Sequence, residues 1–210
     1  MDNKYAEVMN LLLEVIKDSK GGNGIPVGIS NRHIHLSQAD LDALFGAGYE
    51  LTKMKDLSQP GQYACKETVT VVGPKGAIEK VRILGPVRKA TQIEVMAGDS
   101  FKLGVAGEVR MSGELAGTRG VTLVGPKGSV QTAEGLIVAQ RHIHMTLADA
   151  ARFGVKDGDI VDIKITGPRG GILSNVAIRA NDSSALECHL DTEEANALGL
   201  TSKSTITIVK

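Results

Sequence analysis

At 210 residues the chain is long enough for one large domain or two small ones around a buried core. Lysine plus arginine and aspartate plus glutamate number 24 each; this zero net charge, with three Phe, three Tyr and no Trp, excludes a nucleic-acid coat, a base-stacking platform and a polybasic membrane binder. The 25 glycines among 42% hydrophobic residues suit a turn-rich, mainly β chain; no apolar run approaches a span of about 18 residues, and two cysteines, Cys65 and Cys188, make no disulfide framework, so a reducing cytoplasmic setting is expected.

In chain order, residues 1–20 come first. Tyr5, Val8, Met9, Leu12, Val15 and Ile16 recur at helical spacing between polar positions, which predicts a short amphipathic helix. Lys20-Gly21-Gly22-Asn23-Gly24 follows, with 21–24 read as a linker. A helix this short cannot bury its apolar face alone, so it must dock on the body, on a sister chain or on another protein.

From Ile25 onward the pattern is that of strands. Val69 and Val71, then Val161, Ile163 and Ile165, alternate with polar neighbours. Gly-Pro-Lys-Gly at 73–76 and 125–128 and Gly-Pro-Arg-Gly at 167–170 lie between such runs and read as β-turns, because Pro presets φ at the second position and Gly is favoured at the fourth.

The chain also repeats itself. Arg32-His33-Ile34-His35 recurs 109 residues later as Arg141-His142-Ile143-His144. Each copy precedes a capping-box pattern and a short helix, Ser37 with Asp40 and Thr146 with Asp149, closed by Gly46 or Gly48 and by Gly154. Glu94–Gly104 aligns with His189–Gly199 at a shift of 95. Two copies imply two similar small domains rather than a solenoid. The stretch 154–161 resembles the turn-and-strand signature of small double-psi β-barrels.

Four of the five histidines stand in the two His-x-His pairs. On a strand, residues i and i+2 face the same side about 6.5–7 Å apart, so both imidazoles can converge on one ion. Each pair follows an apolar run (Pro26–Ile29; Leu136–Val138), which is consistent with strand placement. His189 completes the inventory, and the repeat matches it to Glu94; carboxylate and imidazole both ligate zinc. Two three-ligand sets with open positions are expected, the pattern of catalytic rather than structural zinc. Spacing alone leaves open which pair joins which third ligand. Cys188 adjoins His189 and should point the opposite way, into the core.

These residues resemble the PduL-type phosphotransacylases, including phosphate propanoyltransferases of bacterial microcompartments. The resemblance covers 25–200 and rests on Ser30-Asn-Arg-His-Ile-His-Leu36, Gly85-Pro-Val-Arg-Lys89, Arg110-Met-Ser-Gly113, Gln140-Arg-His-Ile-His-Met145 and His189-Leu-Asp-Thr-Glu-Glu-Ala-Asn196. It implies two small β-barrel domains capped by short helices, one from 32–139 and one from 25–31 with 140–210, the first strand being exchanged into the second barrel. It implies reversible transfer of a propanoyl or acetyl group between coenzyme A and phosphate at two zinc ions, one held by His33, His35 and Glu94, the other by His142, His144 and His189. Arg88 would be the catalytic, phosphate-binding residue, and Ser30, Asn31, Lys75, Arg82 and Asn196 would contact coenzyme A. By the Gly-Pro turn register, the repeat-equivalent of Arg88 is Asp182. The resemblance also makes residues 1–20 an encapsulation peptide for a microcompartment shell, and a homodimer or higher homo-oligomer is expected. Two other readings remain open: a metal-dependent hydrolase, and a non-catalytic double-barrel binding module.

Overall fold

The computed structural model describes residues 24–209. The expected helix over 1–20 and most of the 21–24 linker lie outside the described residues. The described chain is mainly β with four short helices, none long and apolar enough to cross a membrane.

Its first half runs β2 (His33–His35), α1 (Gln38–Phe45), β3 (Lys53–Asp56), β4 (Tyr63–Val72), β5 (Ala77–Gly85), β6 (Gln92–Glu94), α2 (Asp99–Leu103), β7 (Glu108–Arg110), β8 (Thr122–Val124), β9 (Ser129–Gln131) and β10 (Leu136–Ala139), preceded by β1 (Ile25–Ser30). The second half runs β11 (His142–Met145), α3 (Leu147–Phe153), β12 (Ile160–Ile165), β13 (Gly171–Ala180), β14 (Glu187–Asp191), α4 (Thr192–Leu198) and β15 (Thr205–Val209).

The halves exchange a strand. β1 leaves its own half and pairs in parallel with β14, Gly28 opposite His189, while β10 pairs in parallel with β6, Ile137 opposite Glu94. Since Glu94 and His189 are repeat partners, β1 and β10 are equivalent strands, each placed in the other half's sheet. β1 thereby closes a barrel of order β1-β14-β11-β13-β12-β15. The expected second barrel does not close. Strands β2 to β10 form a nine-stranded sheet in the order β7-β10-β6-β2-β5-β4-β8-β9, with β3 on β4. Where β15 pairs with β1 in the barrel, β8 pairs instead with its hairpin partner β9, and only an isolated bridge, Arg119 to Leu136, spans the gap.

Each half has its own core. One is built on Ile34, Leu36, Leu44, Val71, Ile83, Ile93 and Leu123, the other on Ile25, Ile143, Met145, Ile163, Val176, Ile178 and Cys188, all buried. The alternation at 161–165 is realised, with Ile163 and Ile165 inside the barrel. All three Gly-Pro turns form, closing the β4–β5, β8–β9 and β12–β13 hairpins. Two of them also cap helices: Lys75 N–H donates to the Leu103 carbonyl and Lys127 N–H to that of Leu44. A Cβ on Gly73 would lie 2.2 Å from the Leu103 oxygen, so only glycine allows that approach.

The capping expectations divide. Thr146 and Asp149 form the full reciprocal box and Gly154 ends α3 in the left-handed region. Ser37 accepts from Asp40 N, but the Asp40 carboxylate turns to the Thr91 hydroxyl, and Thr91 accepts from Ser37 N–H in its place. A third box, Asp191 with Glu194, starts α4.

Candidate functional site

Strand register brings the six expected ligands together as two triads. His33 stands opposite Glu94 across β2–β6, and His142 opposite His189 across β11–β14, at the same relative positions. Antiparallel register partners share a sheet face, and the i, i+2 rule adds His35 and His144 to that face. In each triad the ligand atoms lie within 4.8 Å of one another. His33 Nε2 is 3.3 Å from Glu94 Oε2, His35 Nε2 is 4.0 Å from Glu94 Oε1, and the Nε2 atoms of His142 and His144 are 3.1 Å apart.

The rings are oriented as ligands. His33 Nδ1 lies 2.8 Å from the Asn31 carbonyl and His142 Nδ1 2.8 Å from that of Gln140, so each Nδ1 carries the proton and donates, leaving the Nε2 lone pair directed inward. Nδ1 of His35 and of His144 is buried without a partner, an outcome that a hydrogen-bonding role in the core would not produce twice at equivalent positions. Burial and then neighbouring positive rings pull His142 down to about 4 and His144 to about 3. His35 falls to about 3 through burial, His33 and Arg88. These imidazoles are neutral near pH 7, as metal ligands must be. Burial pulls His33 down, but Glu94 outweighs it and its pKa is raised; burial pushes Glu94 up, but His33, His35 and Arg88 hold it well below the carboxylate range. The donor sets, three imidazoles and two imidazoles with a carboxylate, fit zinc or a similar divalent ion.

Two ion pairs, absent from the sequence expectations, set the strands that carry the triads. The arginine before each His-x-His grips an acid five residues beyond the third ligand: Arg32 holds Asp99 through two bonds of 2.9 Å, and Arg141 Nε lies 2.7 Å from Glu194 Oε1.

Both triads face one cavity of about 660 Å³ between the halves. Ser30, Asn31, Arg82 and Arg88 line it; Lys75 and Asn196 do not. Lys75 sits exposed at the β4–β5 turn, its aliphatic stem over Gly104, and Asn196 is exposed on α4. Arg82 donates to the carbonyls of Cys65 and Lys66. Arg88 Nη1 donates to Ser112 Oγ at 3.0 Å, and Gln92 binds the same hydroxyl, which gives the 110–113 segment its place in the site. The equivalent of Arg88 is Asn181, not Asp182: Arg88 N–H donates to the Leu36 carbonyl as Asn181 N–H does to that of Met145. The count from the turns fails because the second copy gains one residue between its turn and Ala177, and the first copy carries two additional residues after Leu84.

Sequence alone did not single out Glu187, whose Oε2 is 2.6 Å from His189 Nε2 and which also accepts from Ser58. The shift of 95 pairs it with Gln92, 2.5 Å from Glu94, so the repeat held the signal. The loop carrying Ser58 crosses between the halves: the buried Gln59 side chain donates to the Ala185 carbonyl (3.0 Å) and accepts from its N–H (3.2 Å).

A family model described as phosphate propanoyltransferase matches residues 26–201. Similar chains include phosphate propanoyltransferases from Rhodobacter capsulatus, 57% identical over 89% of this chain and 86% of the relative, and from Thermotoga maritima, 53% identical over 97% of each. Another, from Lachnoclostridium phytofermentans, is 49% identical over 99% of each. With the two triads set around one cavity, and similarity running nearly end to end, the chain belongs to the phosphate propanoyltransferase family.

Proposed function

We propose that the chain transfers a short acyl group, propanoyl or acetyl, reversibly between coenzyme A and phosphate at two zinc ions. The observation that carries this is the convergence of two repeat-equivalent ligand triads and Arg88 on one cavity, in a member of this family. Bound at the triads, divalent metal supplies Lewis-acid charge and favours the thiolate form of a coenzyme A thiol.

The chain's own residues do the rest. Arg88, with one N–H anchored on Ser112, presents its remaining guanidinium fork to phosphoryl oxygens and neutralises charge as phosphate enters or leaves. Ser30, Asn31 and Arg82 on the cavity wall are assigned to coenzyme A. Lys75 and Asn196, exposed and outside the cavity lining, are assigned to the part of coenzyme A that extends beyond the cavity. No protein nucleophile is needed: Cys65 and Cys188 are fully buried, and burial pushes their thiols up to about 11 and about 12. Transfer is therefore direct, within a complex holding both substrates. In the acyl-phosphate-forming direction the phosphate oxygen bonds to the acyl carbon as the carbon–sulfur bond breaks, and the thiolate leaves.

Residues 1–20 are proposed to direct the enzyme, as a cytoplasmic homodimer or higher homo-oligomer, into a microcompartment shell. The deciding experiment measures coenzyme A release from a series of acyl-CoAs with and without phosphate, alongside elemental analysis. Phosphate-dependent release with two ions per chain is expected. Release without phosphate would make the protein a hydrolase, and no release with no bound metal would make it a binding module.

A further inference from the structure

Arg179 lies in β13 between the buried Ile178 and Ala180, and its side chain leaves the barrel core for the cavity wall. Register puts it beside His144, which in turn stands opposite Glu187. Its repeat partner by the same register is Leu84, the residue that follows the Ile34–Ile83 pair. Arg88, conversely, corresponds to Asn181. Arg88 from the first half and Arg179 from the second thus reach the shared cavity from positions that duplication did not make equivalent, so neither is a relic of the repeat.

Neither guanidinium has a carboxylate within ion-pair range among the described residues. The other first-half arginines on the cavity wall are engaged: Arg32 is paired with Asp99 and Arg82 is tied to two backbone carbonyls. Burial lowers the pKa of Arg88, the pull of Glu94 opposes it, and the positive charge of Arg179 adds a smaller lowering, so the two guanidiniums sense one another across the cavity. Two half-buried, like-charged side chains lining one cavity, neither held in an ion pair, favour an anion placed between them.

We propose that Arg179 is a second phosphate-binding residue, contacting the transferred phosphate from the wall opposite Arg88 so that the two guanidiniums bracket it. This rests on the transferase reading above. Orthophosphate and an acyl phosphate carry close to two charges and three or more free oxygens, which two planar forks can satisfy bidentately. The phosphates of coenzyme A offer the same chemistry, but they lie at the far end of the pantetheine arm from the thiol, whereas Arg179 stands beside a metal triad.

The test compares metal-loaded wild type with Arg179→Gln, which removes the charge but keeps a polar side chain, and Arg179→Lys. Inorganic phosphate binding is measured by calorimetry, with kcat and the KM for phosphate and for acyl-CoA, metal content and melting. For Arg179→Gln, phosphate affinity should fall on the order of tenfold or more with kcat reduced, acyl-CoA KM should stay within about twofold, and Lys should restore part of the loss. Metal content and melting should not change. Unchanged phosphate affinity overturns the proposal, as does a loss confined to acyl-CoA KM, which would reassign Arg179 to coenzyme A. Lost metal or lost folding in both variants makes it structural and also overturns the proposal. Wild type lacking phosphate-dependent release would instead sink the transferase reading itself.

Discussion

Arg88 and the triad histidines do separable work, and single substitutions should separate them. Arg88 touches Ser112 but no triad residue through a hydrogen bond or ion pair. Arg88→Ala should therefore keep both metals and the melting temperature yet lose about a hundredfold or more in turnover, with Arg88→Lys recovering part. Metal loss in Arg88→Ala would recast it as support for the ligands. His189→Ala should reduce the metal content from two ions to one, leaving the triad of His33, His35 and Glu94 intact; elemental analysis that finds both ions would remove His189 from the ligand set. Away from the site, the buried carboxylate of Glu67 accepts from Tyr49 Oη (3.0 Å) and from Thr52 N–H (3.1 Å). Burial alone raises its pKa, but the Thr52 and Tyr49 bonds outweigh burial and lower it. The unfolded chain then binds the proton more readily, so this contribution is present above the ordinary carboxylate range and lost as pH falls through it. Glu67→Ala should cost about 1–3 kcal/mol at pH 7, and less near pH 3, by urea denaturation.

The elements that hold the site are very short; β2 and β6 have three residues each. Strands this short are not stable by themselves, and the ion pairs Arg32–Asp99 and Arg141–Glu194 tie each His-x-His strand to the helix that follows its third ligand. Asp99 is buried and also accepts from Met96 N–H, so Asp99→Ala leaves a guanidinium and an amide without partners. The expected cost is about 2–4 kcal/mol, with weaker metal retention at the His33, His35 and Glu94 triad than at the other. Equal metal retention at both would show that the pair serves the fold alone.

At the scale of the whole molecule, the strand exchange makes the halves interdependent. β1 fills the gap between β14 and β15, so its removal leaves two unpaired edges in the barrel that carries His142, His144 and His189. Deleting residues 1–22 should leave turnover near that of the full chain and abolish co-purification with shells. Extending the deletion to residue 31 should abolish the cooperative melting transition and turnover together. A folded, active 32–210 fragment would refute the structural role assigned to β1, and a 23–210 fragment still entering shells would refute the address assigned to residues 1–20.

Much of the site was legible because its signals are local or periodic. Histidines at i, i+2 on an apolar run have one placement that lets both rings meet an ion, and a repeated segment repeats its register, so Glu94 and His189 could be matched before any coordinates. The Gly-Pro turns and the Thr146–Asp149 box rest on three- or four-residue geometry and formed as read. What the tertiary structure decided depends on pairings between residues far apart in the chain. Closure is one such property: only Arg119, ahead of β8, bridges to Leu136 of β10, and no periodicity within either strand carries that information. Thr91 displaced the expected reciprocal bond at Ser37 from 54 residues away. Arg179 carries no motif and its repeat partner is a leucine; only strand register, which sets sheet face and neighbour together, puts its charge beside a triad.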